Sequence, residues 1–213
     1  MSGVRPESTP APGATVPGPV VHPFAEVPSA LDTAFELAAA GRLCVWDSVL
    51  AASQTAGRGQ LRRHWSSPPG NIYAALRLPV SPPFDGGAAA AAVGLLAAEA
   101  LGALSWRVRI KWPNDLVLTA GGAPRKVAGI LLEERGGVLL AGIGVNVVSH
   151  PPAEALRPEA ALPAGALNEN GGVAVPPAPE LWTRLVSRMV SAYTDARIFA
   201  LSWQGRAEAL LLW

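Results

Sequence analysis

The sequence predicts an α+β fold, with a mixed, largely antiparallel central sheet and helices packed on it. Strand-like runs cluster in the middle of the 213-residue chain, and helix-like runs lie before, within and after that cluster. This order favours α+β over a doubly wound sheet, in which strands and helices alternate regularly. Half of the residues are hydrophobic, so the chain can bury one good core, and we expect a single domain behind an amino-terminal tail.

The predicted tail covers residues 1–23. It contains six prolines and three glycines but few large apolar side chains, so it cannot offset the entropy of ordering and is expected to be disordered. Folding should begin near Phe24, and the predicted domain therefore spans residues 24–213.

The first helix is predicted over residues 29–40. Ser29 is a suitable N-cap, Asp32 follows three residues later as in a capping box, and Gly41 is a suitable stop. Alanine, leucine and glutamate, which favour helices, fill much of the interval.

Six segments have the apolar or alternating pattern of strands, so the sheet should contain five or six strands. They are residues 43–52, 71–78, 107–111, 115–119, 126–133 and 138–148. The last two are expected to form a hairpin closed by Arg135-Gly136-Gly137, after a turn over residues 120–125.

Three further helices are predicted. Residues 85–104 are alanine-rich with leucines at helical spacing, so this helix should pack closely. After a proline-rich loop over residues 151–179, apolar residues recur every three or four positions in residues 180–200, and residues 202–212 are expected to form a last helix.

Composition and charge exclude several classes of protein. The net charge of +1 gives no reason to expect nucleic acid or an acidic membrane as a partner. No apolar run reaches the roughly 20 residues that a membrane span needs, and the layout of a signal peptide is missing, so we expect a cytoplasmic protein. The single cysteine, Cys44, lies in an apolar stretch and is predicted to be a buried core thiol.

The most informative motif is Lys111-Trp112-Pro113-Asn114-Asp115, which Arg125-Lys126-Val127-Ala128-Gly129-Ile130-Leu131-Leu132-Glu133 follows. A Pro-Asn-Asp turn between apolar runs would fix the lysine beside a strand whose glycine allows close approach, which suits an anion. Turn formation is the alternative role for Asn114 or Asp115, and packing is the favoured role for Trp112.

A basic, glycine-rich loop is the second candidate for anion binding. It reads Gln54-Thr55-Ala56-Gly57-Arg58-Gly59-Gln60-Leu61-Arg62-Arg63-His64-Trp65. Glycine amides can converge on an anion, and the arginine fork matches carboxylate or phosphate oxygens. Because short glycine motifs match by chance, a solvated basic loop is the alternative. Whether Trp65 packs or stacks on a ligand stays open.

Five motifs occur in the order found in biotin protein ligases, which the chain resembles. They are the Gln54 motif, Trp65-Ser66-Ser67-Pro68-Pro69-Gly70-Asn71, the Lys111 motif, the Arg125 motif and Gly142-Ile143-Gly144-Val145-Asn146-Val147. The resemblance covers essentially the catalytic domain of that family, which belongs to the biotin/lipoate protein ligase superfamily. It implies their class II aminoacyl-tRNA synthetase-like fold.

The resemblance implies a two-step reaction. ATP and biotin would give biotinyl-5'-adenylate and pyrophosphate, with Mg²⁺ screening the triphosphate. The adenylate would then acylate one lysine of a biotin carboxyl carrier protein or domain, as in acetyl-CoA carboxylase. Lys111 would hold the biotin carboxylate against the α-phosphate and stabilise the charge that develops there.

The resemblance also implies the residues of the site. The predicted catalytic residues are Lys111, Arg58 and Arg63. The predicted biotin-binding residues are Ser29, Gln54, Gly57, Arg58, Gly59, Lys111, Gly129 and Leu131. The predicted ATP-binding residues are Arg58, Gly59, Gln60, Arg62, Arg63, Asn114 and Asn146, and a structural role is the alternative for Asn146. No metal ligands are assigned, because His22, His64 and His150 lie apart in loops.

Several departures from the family pattern keep alternatives open. Ser29-Ala30-Leu31 stands where the family has Ser-Thr-Asn against the biotin ring, Gln60 replaces a commonly basic residue, and Arg62 replaces a common glycine. The small carboxyl-terminal β domain of the family and an amino-terminal helix-turn-helix are expected to be absent, so no DNA binding is predicted. A homodimer is left open.

Two alternative functions are kept beside the biotin ligase hypothesis. The altered helix start motivates a ligase or transferase for lipoate or another carboxylic acid, although the lipoate ligase motif is absent. The second alternative is a non-catalytic binder of an anion or nucleic acid that uses the arginines of the basic loop, which the near-neutral charge disfavours.

Overall fold

A computed structural model describes residues 18–120, 122–152, 162–169 and 173–194. Within these ranges the chain forms seven strands and three α-helices. The strands are β1 (Val21–Val27), β2 (Ser48–Gln54), β3 (Ile72–Leu78), β4 (Val108–Lys111), β5 (Asp115–Leu118), β6 (Arg125–Arg135) and β7 (Val138–Val145). The helices are α1 (Ala30–Ala39), α2 (Ala89–Gly102) and α3 (Ala178–Thr194).

The seven strands form one sheet in the order β1-β2-β3-β7-β6-β5-β4. β1 and β2 are parallel, and every other neighbouring pair of this sheet is antiparallel. Gly136 and Gly137 close the β6–β7 hairpin with positive φ angles of 57° and 78°, a conformation that glycine adopts without strain. The predicted α+β class, with a mixed and largely antiparallel sheet, is confirmed.

The two faces of the sheet are covered differently. α2 and α3 pack on one face and bury the larger core, which includes Leu76, Ile130 and Ile143. α1 packs on the other face and contacts β2, β3 and β7. Because α1 has 10 residues, it is only about 15 Å long and leaves the β6, β5 and β4 part of its face uncovered. That uncovered part is where a ligand has access to the sheet.

The predicted boundary between tail and domain is wrong. Residues 18–23 are described, and β1 already begins at Val21 and pairs with β2 from Ser48. The prediction rested on the composition of residues 1–23 as a whole, which does not show that residues 21–23 begin a strand. Pro23 is tolerated there because β1 is an edge strand, where a missing N–H can be accommodated. Residues 1–17 lie outside the described ranges.

The predicted strand over residues 43–52 is also partly wrong, because β2 starts only at Ser48. Both carboxylate oxygens of Asp47 accept backbone hydrogen bonds, from Val20 at 2.9 Å and from Cys44 at 2.8 Å. These bonds stabilise a turn rather than an extended chain. As a result Cys44 is exposed, and the prediction of a buried core thiol is wrong.

The remaining elements follow the predicted pattern with shifted ends. α2 begins at Ala89 instead of residue 85, and its small side chains let it lie close to the sheet: a Cβ atom at Gly94 would already touch Ile130 at 3.5 Å. α3 begins at Ala178 and is described as far as Thr194. The predicted helix end at residue 200 and the helix over residues 202–212 lie outside the described ranges. No helix in the described ranges is long and apolar enough to cross a membrane.

Candidate active site

A cavity of about 630 Å³ opens on the face of the sheet that α1 leaves uncovered. Its floor is one cross-strand row. In this row Lys111 on β4 lies opposite Asp115 on β5, which lies opposite Gly129 on β6. The row continues through Gly144 on β7 to Tyr73 on β3. Because directly paired residues point to the same side of a sheet, the charged groups and the two glycines share one face.

The two glycines of this row make room for the indole ring of Trp65. A Cβ atom at Gly144 would lie 2.7 Å from the ring, and one at Gly129 would lie 3.0 Å from it. The indole nitrogen of Trp65 is buried and has no hydrogen-bond partner among the described residues. The open question about Trp65 is therefore resolved for this structure: it packs inside the cavity. Gly129, which was expected to admit a ligand, here admits this ring.

Two lysines, Lys111 and Lys126, line the end of the cavity formed by β4, β5 and β6. The Nζ atom of Lys126 lies 2.7 Å from Oδ1 of Asp115 and 5.5 Å from the centroid of the Trp65 ring. Asp115 is also the cross-strand neighbour of Lys111. One carboxylate beside two ammonium groups gives this lysine end a net charge of +1.

Arg58 points instead to a cluster at the edge of α1, in which two arginines meet two carboxylates. Its two terminal nitrogens donate to Asp32 at 2.6 and 2.9 Å, and its Nε donates to Glu133 at 2.9 Å. Arg135 donates to both carboxylates as well. The opposite charges of this arginine cluster, formed by Arg58, Arg135, Asp32 and Glu133, balance.

These hydrogen bonds shift the pKa values of the cluster. Hydrogen bonds from Arg58 hold the pKa of Asp32 and of Glu133 below their ordinary values, although partial burial acts in the opposite direction. Hydrogen bonds to the same carboxylates, Asp32 first, raise the pKa of Arg58. The guanidinium predicted to contact phosphate is thus engaged by protein carboxylates in this structure, and its phosphate contact stays a prediction.

The start of α1 differs from the predicted capping box. Ser29 occupies the N-cap position, but its side chain makes no capping hydrogen bond; its Oγ accepts one from Arg58 at 3.1 Å. The side chain of Gln54 provides the cap, because its Oε1 accepts the backbone N–H of Ala30 at 2.8 Å. Ser29, Gln54 and Leu131 line the cavity, and their predicted contacts with biotin stay predictions.

The glycine-rich loop contributes unequally to the cavity. Gly59, Gln60 and Arg63 line it. Gly57 is buried within the loop and is not among the lining residues. A Cβ atom at Gly57 would lie 2.6 Å from the backbone carbonyl oxygen of Trp65, in the same loop. Arg62 lies in a 3₁₀ turn, and its side chain is outside the described part of the structure.

The two predicted asparagines also line the cavity, and the backbone holds both of them. Nδ2 of Asn114 donates to the carbonyl of Ile130 at 2.9 Å, which ties the β4–β5 turn to β6. Nδ2 of Asn146, a buried residue, donates to the carbonyl of Gly165 at 3.0 Å. These bonds favour structural roles and leave the predicted ATP contacts untested.

Trp112, in contrast, is 58% exposed on the β4–β5 turn, so the prediction that it packs is wrong. The histidines do not meet: Nε2 of His150 lies 2.9 Å from a carboxylate oxygen of Glu169, and His64 lines the cavity. The described ranges contain no group of three or more His, Cys, Asp or Glu side chains that could hold a metal ion.

Sequence reasoning missed three contributors to the site. Lys126 lay in a recognised motif but received no role, and Asp32 and Glu133 were not connected to Arg58. Arg58 and Glu133 are 75 positions apart, and a local sequence pattern does not predict a pairing over that distance. A signal for Lys126 was present in the composition, because lysine is rare in this chain.

Comparison with known proteins gives a consistent family. The model of the biotin/lipoate A/B protein ligase family matches residues 45–148. A biotin--[acetyl-CoA-carboxylase] ligase of Paracoccus denitrificans is 42% identical over 135 residues, which cover 58% of this chain and 53% of that protein. This chain therefore spans about half the length of that relative.

Solved structures match over more of the chain. Biotin protein ligase from Aquifex aeolicus, in complex with biotin and ATP, matches with a TM-score of 0.70 and 26% identity over 91% of this chain and 78% of that chain. Biotin protein ligase from Leishmania major, in complex with biotinyl-5-AMP, matches with a TM-score of 0.72 and 27% identity over 90% of this chain and 80% of that one.

The α+β sheet of this chain thus has the fold of the biotin protein ligases. The motifs that form the cavity floor, from Tyr73 through Gly144, lie inside the segment that the family model matches. Residues 45–148 of this chain are thus similar to the biotin/lipoate A/B protein ligase family, and the sheet as a whole is similar to those of biotin protein ligases.

Proposed function

We propose that this chain uses ATP to activate biotin as biotinyl-5'-adenylate and transfers the biotinyl group to a lysine of a carrier domain. The observation that carries the proposal is the cavity floor, where Lys111 ends a cross-strand row whose centre is two glycines. Two family members solved with biotin and ATP, or with biotinyl-5-AMP, support it.

Lys111 would act on the first step. A carboxylate oxygen of biotin attacks the α-phosphorus of ATP, and pyrophosphate leaves with the electron pair of the broken P–O bond. Both reactants are anions, so an ammonium between them offsets their repulsion and stabilises the charge that develops on the phosphate. A preorganised donor of this kind is typically worth about 3–4 kcal/mol.

The walls of the cavity would protect the product. An acyl phosphate is readily hydrolysed, so the site must limit access of water to the acyl carbon. The Trp65 ring and the aliphatic side chains of Leu31 and Leu131 line the cavity. They suit the apolar part of an acid that lies along the floor toward α1.

The second step needs a partner. The amine of the carrier lysine attacks the acyl carbon of the adenylate, AMP leaves, and an amide remains on the carrier. The proposed carrier is a biotin carboxyl carrier protein or domain. A cytoplasmic location and the absence of DNA and membrane partners belong to the same proposal, and a homodimer is compatible with it.

Mg²⁺ would accompany the nucleotide. Asp115 supplies the carboxylate among the described lining residues, and it is already paired with Lys126 at 2.7 Å. Mg²⁺ commonly keeps several waters and binds largely through substrate phosphates, so this donor set suits an ion carried by the triphosphate. The ion would offset phosphate charge there.

One observation favours a second candidate, activation of lipoate or another acid with an apolar head. At the α1 edge of the cavity, Ala30 and Leu31 present apolar side chains, and the backbone N–H of Ala30 is taken by Gln54. The biotin ring carries a polar ureido group, whereas octanoate does not. An apolar edge therefore suits the aliphatic acid.

The test is pyrophosphate release from ATP with biotin, lipoate or octanoate offered separately, followed by mass spectrometry of a purified carrier domain. Biotin should give the fastest release and a biotinylated carrier lysine. A carrier whose acceptor lysine is replaced by arginine is the matched control and should stay unmodified. Release with lipoate or octanoate but not with biotin would falsify the biotin proposal and support the second candidate.

A further inference from the structure

Lysine is almost absent from this chain, and its two lysines share one cavity. Only two of the 17 basic residues are lysines, Lys111 and Lys126, and both line the candidate active site. All other basic positions hold arginine. The two side chains are not interchangeable, because lysine presents a compact, strongly hydrated ammonium and arginine a planar fork. The composition thus singles out two positions where an ammonium is used.

A β-bulge directs Lys126 into the cavity. The β5–β6 register shifts between Leu116, which pairs with Ala128, and Val117, which pairs with Lys126. Val127 is the extra residue, and both it and Ala128 are buried in the core on the α2 and α3 side. In a regular strand Lys126, three positions before Gly129, would point to that opposite side. Bulges commonly re-aim a side chain in this way.

Both the side chain and the backbone of Lys126 are held in place. Its Nζ binds Asp115 at 2.7 Å, and its stem passes beside Gly129, where a Cβ atom would lie 3.6 Å from Cε of the lysine. Its backbone N–H donates to Pro163 at 2.8 Å, and its carbonyl accepts from Gly165 at 2.9 Å. An ammonium has three donors, so one bond to Asp115 leaves two for a ligand.

The position of Lys126 indicates which part of a ligand it would meet. The cavity has an α1 end, with Ser29 and Gln54, and an opposite end bordered by Leu162, Ala164 and Asn146. Lys126 is bonded to the backbone of this opposite end. If the acid head lies toward α1, the nucleotide phosphates lie toward Lys126. The arginine cluster cannot meet the same need without giving up its carboxylate partners.

We propose that Lys126 is a second ligand-binding residue, whose ammonium donates to a phosphoryl oxygen of the nucleotide while Lys111 serves the carboxylate and the α-phosphate. Asp115 and Trp65 act as positioning residues that hold this ammonium over the floor. The proposal rests on the proposed function for the identity of the ligand. The geometry that carries it, an ammonium turned into the cavity by a bulge, is independent of which acid is activated.

The test compares three variants. Lys126→Met keeps the length of the stem, Lys126→Arg keeps the charge, and Arg109→Met removes an exposed cation of β4, in the same sheet but outside the cavity. Calorimetric titration with a non-hydrolysable ATP analogue measures the affinity for the nucleotide, and titration with biotin measures the affinity for the acid. Lys126→Met should weaken binding of the analogue about tenfold or more and leave the affinity for biotin within about twofold of the wild type. Lys126→Arg should recover part of the loss, and Arg109→Met should match the wild type.

A second measurement in the wild-type chain covers the case in which Lys126→Met fails to fold. Acetylation of Lys126 by a small amine-reactive acetylating reagent, followed by peptide mass spectrometry, should slow when the ATP analogue is present and not when biotin alone is present. Equal analogue affinity in a folded Lys126→Met variant, or equal acetylation with and without the analogue, overturns the proposal. If the wild type binds the analogue but activates none of the acids, the proposed function fails while the role of Lys126 stands.

Discussion

The arginine cluster and the lysine end are two charged regions that border the same cavity, and they use their charge differently. At the arginine cluster, Arg58 and Arg135 meet Asp32 and Glu133, and the charges balance. At the lysine end, Asp115 stands beside both Lys111 and Lys126, and one positive charge remains. A basic residue in a glycine-rich loop is therefore not by itself an anion site.

The difference also separates stability from binding. The arginine cluster connects the loop, α1 and β6 through bidentate bonds, which have the geometry of strong ion pairs. We expect it to hold the loop and Trp65 over the floor. The lysine end retains charge for an incoming anion. Changes in the lysine end should therefore affect chemistry most, and changes in the arginine cluster should affect folding most.

The largest expected effect comes from Lys111→Ala. Because this ammonium would stabilise charge as pyrophosphate leaves, its loss should slow adenylate formation by about 10²–10³-fold or more while the fold stays intact. Pyrophosphate release measures the rate, and circular dichroism checks the fold. Arg109→Ala, a matched change on the same strand outside the cavity, should keep the wild-type rate. Full activity in Lys111→Ala would remove this residue from the site.

The floor between the two regions is tested by Gly144→Ala. The added Cβ would lie 2.7 Å from the Trp65 ring, so the ring must shift away from the floor. Overpacking of this kind costs about 1–3 kcal/mol of stability, and the displaced ring should also slow adenylation. Chemical denaturation measures the first effect. Adding Trp65→Ala to the same variant should recover stability, since it removes the clashing ring; a double variant no more stable than Gly144→Ala would contradict this packing.

The arginine cluster is tested by Glu133→Gln and by pH. Glu133 is 22% exposed, and loss of its charged bonds to Arg58 should cost about 1–2 kcal/mol of stability at neutral pH. The folded-state pKa values of Asp32 and Glu133 lie below their ordinary values of 3.8 and 4.5, so the cluster stabilises the fold fully above those values. That stabilisation is lost as the pH falls through the lowered folded-state values.

The difference in unfolding free energy between wild type and Glu133→Gln should therefore shrink in acid. Denaturant titrations at neutral pH and below pH 4.5 measure it, with Glu134→Gln, an exposed neighbour on the same strand, as the matched control. A difference that is the same at both pH values would show that the charge of Glu133 does not stabilise the fold.

The smallest expected effect comes from Gln60→Arg. Gln60 lines the cavity at a position where the resemblance implies a basic residue, so an added guanidinium should retain the anionic adenylate better. Release of free adenylate, measured by chromatography during turnover without carrier, should fall by a few-fold, the size expected for one partly exposed charge. An unchanged leak rate would count against any role of Gln60 in retention.

The features that the sequence predicted well are local ones. The β6–β7 hairpin depends on adjacent glycines, and the Lys111 turn depends on Pro113 and Asn114, so a short window contains the information. The missed features depend on tertiary contacts. β1 was missed because the composition of residues 1–23 does not show that its last residues pair with β2 at the edge of the sheet. The exposure of Cys44 follows from the backbone hydrogen bonds that Asp47 accepts from Val20 and Cys44.

The candidate site divides in the same way. Motif residues such as Lys111, Gly129 and Gln60 meet at one cavity, as the resemblance implied. The partners of Arg58 could not be foreseen from the sequence. Asp32 lies on a helix, and Glu133 lies on a strand, 75 positions from Arg58. Residue types identified the charges, but only the fold decides which charges cancel.

The confinement of both lysines to the cavity has a consequence for side reactions. An activated acyl group that escapes from such a site acylates nearby amines, and lysine is the usual acceptor on protein surfaces. Arginine stays protonated and is a poor acceptor, so this arginine-rich chain offers its own product few nucleophiles. Within these 213 residues the only side-chain amines are those of Lys111 and Lys126, which line the cavity. Under the proposed function, such a chain would be a poor substrate for itself, and the acyl group would be left for the carrier.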